Sequence, residues 1–144
     1  MSDPFVDTDV IIRLLTGDDQ KKQADAAALF EAVEAGQQQL VAPDTVIADA
    51  VYVLSSLRLY QKSRSEVQSL LTPLVRLAGF RVQNRRSVLR ALDLYATTNL
   101  DFGDALIVAA MEQRGSRVLY SYDQGFDRIS SITRRTPGAA PLGE

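Results

Sequence analysis

Aspartate marks the edge of three apolar runs in this chain: F-V-D-T-D-V-I-I-R-L-L from Phe5, D-F-G-D-A-L-I-V-A-A from Asp101, and V-L-Y-S-Y-D-Q-G-F from Val118. The chain contains no His and no Cys. Imidazole acid–base catalysis, thiolate nucleophiles and cysteine–zinc sites are therefore excluded. Any chemistry must run through carboxylates. Carboxylates that converge repel one another and hold protons more tightly. A hard divalent cation relieves that repulsion, because Mg²⁺ and Mn²⁺ prefer oxygen ligands. Such an ion keeps waters, one of which can be the nucleophile, and two ions about 3.5–4 Å apart can clamp the attacking and leaving oxygens of a phosphodiester. The candidate ligands are Asp7, Asp49, Asp101, Asp104 and Asp123.

These side chains converge only if the surrounding elements bring them to one rim. Phe5-Val6 reads as a short strand ended by Asp7, and Val10 to Leu15 as a helix with Thr8 or Asp9 as its N-cap. Asp18 or Asp19 caps a second helix from Gln20 to Ala35. Gln39 to Ala42 is a strand, and Pro43 and Asp44 open a helix to Leu57. Ile47, Ala50, Val51, Leu54 and Leu57 form its buried face. Asp49 lies inside that helix between two alanines, a locally unfavourable place for Asp that something should compensate. Ser63 or Ser65 starts a helix to Ala78, with a kink or break at Pro73. Phe80 to Val82 is a third strand and Arg85 to Thr97 a helix. Asp101 caps a helix whose centre, Ala105 to Met111, is apolar on all sides and so predicted to be buried. Arg117 to Tyr120 is a fourth strand, Phe126 to Ile129 a helical turn, and Ile132 to Arg134 an edge strand.

Short apolar strands alternating with helices predict an α/β fold, a three-layer α/β/α sandwich around a mostly parallel sheet of four or five short strands. In such sheets ligands bind beyond the carboxyl ends of the strands. Asp7 and Asp123 point at the same rim if their strands are neighbours. Asp101 and Asp104, three apart, share one helix face.

The 144 residues predict one domain over 1–136 and a frayed tail over 137–144, which is rich in Gly, Ala and Pro. No apolar run approaches the ~20 residues that a membrane span needs. Met1 to Val6 is too short for a signal peptide. The lack of Cys fits a cytoplasmic protein. The net charge is −2, so the overall field does not advertise nucleic-acid binding. The chain nevertheless has 13 Asp against 5 Glu and 13 Arg against 3 Lys. Excess Asp points to caps, turns or ligands, and Arg matches phosphate through its planar fork. Arg81, Arg85, Arg86 and Arg90 form one basic cluster and Arg134-Arg135 another; each reads as a solvated face or as a phosphate contact.

The order D-T-D-V, a mid-chain helical acid, D-F-G-D-A-L-I-V-A-A and then S-Y-D-Q-G-F resembles the PIN-domain ribonucleases. It is most similar to the VapC-type toxins of type II toxin–antitoxin pairs. The likeness covers about residues 5 to 130, and its most specific part is the Asp101 segment followed by S-Y-D. It implies Mg²⁺ or Mn²⁺ dependence, endonucleolytic cleavage of RNA, homodimers and a small antitoxin that blocks the site. Position by position, Asp7, Asp49, Asp104 and Asp123 match the four acidic site residues, and Ser121 matches the small hydroxyl residue before the fourth. Asp101 matches a frequent additional acid. Asp49 stands where the family usually has Glu, one methylene longer, and Asp9 where Asn is usual.

Each residue also has a structural reading. Asp7 can end a strand, Asp9 and Asp101 can cap helices, Asp104 can complement a helix dipole, Asp123 can close an Asx-turn, and Ser121 can be a turn hydroxyl. Leu57, Leu59 and Tyr60 exceed what a core needs and could serve a dimer or antitoxin interface. Two other functions fit parts of the pattern. One is a catalytically weak or inactive PIN domain acting as a binding module. The other is a haloacid-dehalogenase-type phosphatase with Asp7 as nucleophile and Asp9 as acid/base, which lacks a convincing late-strand lysine.

Overall fold

Side-chain caps set the starts of four of the six helices. The computed structural model describes residues 2–138, so the tail predicted from Pro137 lies outside the described residues beyond Gly138. It contains helices α1 (Thr8–Leu15), α2 (Gln20–Glu34), α3 (Asp44–Ser55), α4 (Arg64–Arg76), α5 (Arg85–Thr97) and α6 (Phe102–Arg114). The strands are β1 (Leu40–Ala42), β2 (Phe80–Val82), β3 (Val118–Tyr120) and β4 (Thr133–Arg135). Asp19 caps α2 by accepting from the Lys22 amide at 3.0 Å. Ser63 and Glu66 form a reciprocal capping box on α4. Gly115 closes α6 in the left-handed conformation, at φ +70°, which carries no Cβ penalty for glycine. α4 runs through Pro73 without a break, because Pro73 is exposed and its missing N–H falls on the wet side.

α1 begins earlier than the sequence predicts. Its N-cap is Asp7, not Thr8 or Asp9; Asp7 accepts from the Thr8 amide at 2.7 Å and Asp9 falls in the first turn. Three consecutive cap-forming residues left the choice to tertiary structure. The Val6 amide donates to the Val41 carbonyl at 3.1 Å, and the Val41 amide to the Pro4 carbonyl at 2.9 Å. These bonds hold residues 4–6 extended, so the chain can turn into a helix only after them.

The α/β class is as predicted, but hydrogen bonding divides the strands into two parallel pairs, β1 with β2 and β3 with β4. The expected first strand contracts to a single parallel bridge between Phe5 and Val41. Strands of three residues offer few ladder bonds, so helix packing carries most of the architecture. α5 packs against α4 and α6, and α1 against α2 and α3. The buried apolar side chains form one contiguous cluster. At its centre Phe80 is fully buried and meets Phe30 edge-on, with ring centroids 5.5 Å apart.

α6 is less enclosed than its apolar centre predicts. Ala105, Val108 and Ala109 are buried, whereas Ile107 is 42% exposed and Ala110 is exposed. An apolar run without periodicity cannot show which face lacks a neighbour. No helix among the described residues is long and apolar enough to cross a membrane.

Truncating Phe80 to Ala should lower stability by about 3–5 kcal/mol in urea unfolding, as loss of a buried aromatic does. Leu57→Ala, at a position 82% exposed, should stay within about 0.5 kcal/mol of the wild type.

Candidate active site

The predicted site residues gather in two clefts. The first lies between α1 and α3, has a volume of about 520 Å³, and contains Asp7, Asp9 and Asp49. The Phe5–Val41 bridge delivers Asp7 to its mouth, and Thr8 Oγ1 donates to the Val46 carbonyl at 3.5 Å, tying α1 to α3. Asp49 follows Val46 by three residues on α3, which puts it on the same helix face. Asp7 and Asp49 are both exposed. Arg13 also borders this cleft and pairs with Asp18 at 3.2 Å. The Tyr60 hydroxyl donates to the other Asp18 oxygen at 2.7 Å. That bond, aided by Thr16 and Arg13, holds the Asp18 carboxyl below its ordinary pKa. Tyr52 and Leu59 form an exposed apolar rim.

The second cleft, of about 690 Å³, lies where the α5–α6 loop meets the 3-10 turn Gln124–Arg128, and it contains Asp101, Asp104 and Asp123. Asp101 caps α6 by accepting from the Asp104 amide at 2.8 Å. Asp123 caps the 3-10 turn by accepting from the Gly125 amide at 2.8 Å. A Cβ at Gly125 would lie 3.0 Å from Asp123 Oδ1, so a larger residue there would need that carboxylate to shift by a few tenths of an ångström. The Ser121 hydroxyl accepts from the Asp123 amide at 3.0 Å, so it positions the backbone of the fourth acid. Asp104 is half-buried. Burial first, then the negative charges of Asp101 and Asp123, push its carboxyl above the ordinary carboxylate pKa.

Asp7 and Asp49 thus line one cleft, and Asp104 and Asp123 the other. Among the described residues no set of three or more acidic side chains is placed to hold one ion. The donor chemistry still suits Mg²⁺ or Mn²⁺. Mg²⁺ keeps several waters and is commonly bound by one or two carboxylates together with substrate phosphates. Asp104 is raised in proton affinity first by burial and then by the charges of Asp101 and Asp123, and a cation would offset the second of these. Asp7, Asp101 and Asp123 each use Oδ1 to hold a backbone amide, so capping orients these carboxylates without consuming both oxygens.

The basic clusters separate into individual roles. Arg85 donates to the carbonyls of Leu77 and Phe80, and Arg90 pairs with Glu112 at 2.9 Å. Arg134 forks onto Asp127 and also donates to the Ser121 carbonyl at 3.0 Å. Arg81 and Arg86 are exposed, and neither forms an ion pair among the described residues. Two supporting residues escaped the sequence reading. Gly125 left only the weak signal of a glycine two residues after Asp123. Arg64, in the wall of the second cleft, left none.

The chain belongs to the PIN domain family, whose model matches residues 5–132. PIN domains are in general metal-dependent nucleases. No curated protein matches the chain. The family match lends no support to the phosphatase alternative.

A carboxyl whose pKa is raised by folding opposes folding once it ionises. That opposition is absent at pH values below its unfolded-state pKa and complete above the folded-state value. In metal-free protein, Asp104→Asn should therefore raise the melting temperature at pH 7. The gain should shrink as the pH falls through the carboxylate range.

Proposed function

We propose that this PIN domain is an endoribonuclease dependent on Mg²⁺ or Mn²⁺ and the toxin of a toxin–antitoxin pair. The observation that carries the nuclease reading is the placing of Asp101, Asp104 and Asp123 in one cleft, where burial first and then the charges of Asp101 and Asp123 raise the Asp104 pKa. The toxin reading draws on the sequence likeness of the Asp101 segment and S-Y-D to VapC-type toxins. It brings with it a homodimer, a small antitoxin that covers the site, and cytoplasmic action. It also brings the PIN-like three-layer α/β/α arrangement around a mostly parallel sheet.

In this reading Asp7, Asp49, Asp104 and Asp123 are the metal-site carboxylates, with Asp101 beside them. These carboxylates would hold the cation, which would offset their charge and supply an activated water for attack on the RNA phosphodiester. The chain's own residues orient that chemistry. Asp101 fixes the first turn of α6, Ser121 and Gly125 fix Asp123, and the Thr8 amide holds Asp7. Asp49 reaches one methylene less far into the first cleft than a Glu would.

The division of the acids between two clefts favours a second reading, a PIN domain that binds without cutting. Cleavage of a labelled RNA in Mg²⁺ or Mn²⁺ separates the two. The nuclease reading expects wild-type cleavage, abolished by EDTA. It expects Asp104→Asn or Asp7→Asn to slow it by about a hundredfold or more, at or beyond what loss of outer-shell metal partners costs. Persistent absence of metal-dependent cleavage in the wild type would establish the binding module instead. Asp49→Glu, which restores the longer reach, should tighten Mn²⁺ binding in calorimetric titration and raise the cleavage rate.

A further inference from the structure

Arg64 opens α4, yet its guanidinium reaches the far end of α5. Nη1 donates to the carbonyls of Tyr95 at 2.9 Å, Thr98 at 3.2 Å and Leu100 at 2.5 Å, and Nη2 donates to that of Asn99 at 3.3 Å. The guanidinium carbon lies 4.3 Å from the centre of the Tyr95 ring. Carbonyls at a helix C-terminus lack intrahelical donors, and a cation there complements the helix dipole. A planar fork can serve several such acceptors at once, which a lysine ammonium on its flexible stem does less well.

The loop so gripped, Thr98 to Leu100, leads directly into Asp101. Thr98 closes it internally: its hydroxyl donates to the Leu94 carbonyl at 2.7 Å and accepts from the Leu100 amide at 3.2 Å. Arg64 borders the same cleft as Asp101, Asp104 and Asp123, but its hydrogen bonds all go to carbonyls. It therefore acts on the loop rather than as the counter-ion of the acids.

We infer that Arg64 is a positioning residue: by clamping Thr98–Leu100 it sets where Asp101 and Asp104 stand in the second cleft. The metal-binding consequence rests on the nuclease reading given above; the clamping itself does not.

The test compares wild type with Arg64→Met and Arg64→Lys. It follows amide hydrogen exchange in the metal-free protein, Mn²⁺ affinity by calorimetry, and kcat and KM on RNA. In Arg64→Met, exchange at residues 99–104 quickens while the amides of α2 keep their protection. Mn²⁺ affinity and kcat fall about 10–100-fold, the range found when outer-shell support of a metal site is removed, and KM for RNA is unchanged. Lysine keeps the charge but not the fork, so it recovers only a small part of the loss. Thr98→Val loosens the same loop from within and shifts the same readouts in the same direction by a smaller factor. It decides the question if Arg64→Met does not fold. Unchanged exchange and Mn²⁺ affinity in Arg64→Met would overturn the inference, as would full recovery with lysine. If the wild type binds no Mn²⁺, the metal reading fails; exchange at residues 99–104 then decides the positioning role alone.

Discussion

The crowding of a half-buried Asp104 by Asp101 and Asp123 is the constraint to which the rest of the site answers. Burial and neighbouring charge raise the proton affinity of Asp104, so the fold gains nothing from that cluster in isolation. It holds the cluster with neutral donors and a remote clamp. The Asp104 amide supports Asp101, the Gly125 amide supports Asp123, and the N-terminal end of α6 complements the charge of its N-cap Asp101 and of Asp104 in its first turn. Arg64, with its hydrogen bonds all on carbonyls, steadies the approach to α6 without neutralising the acids. The negative charge thus stays available to a cation.

The same economy of donors appears in the first cleft. Asp7 takes its orientation from the Thr8 amide, and the arginine beside it, Arg13, is drawn off by Asp18, whose other oxygen accepts from the Tyr60 hydroxyl. Capping and metal ligation are thus compatible roles for one aspartate, since a cap uses one oxygen and leaves the second. Of the arginines that looked like phosphate contacts, Arg85, Arg90 and Arg134 bond to carbonyls or acids, and Arg81 and Arg86 are exposed without an ion pair among the described residues.

Much of this was legible in the sequence because caps and periodicity are local. Arg85–Thr97 has the bounds that its pattern predicts, and Asp101 caps α6 as expected. Other features depended on partners far along the chain. The Phe5–Val41 bridge moved the start of α1 to Thr8. The exposed face at Ile107 depends on which elements fail to cover α6. The grouping of the acids into two clefts depends on which strand ends lie side by side, which hydropathy does not encode. Arg64 was invisible because its acceptors are backbone carbonyls 31 to 36 residues away, and any residue type supplies a carbonyl.

The central claim is that the carboxylates at the start of α6 hold a divalent cation. Anomalous scattering from crystals grown with Mn²⁺ tests it most directly. The account predicts a peak in coordinating contact with the Asp104 carboxylate, bordered by Asp101 and Asp123. A saturating Mn²⁺ concentration that leaves this cleft without a peak, in a protein that still cleaves RNA, would contradict it.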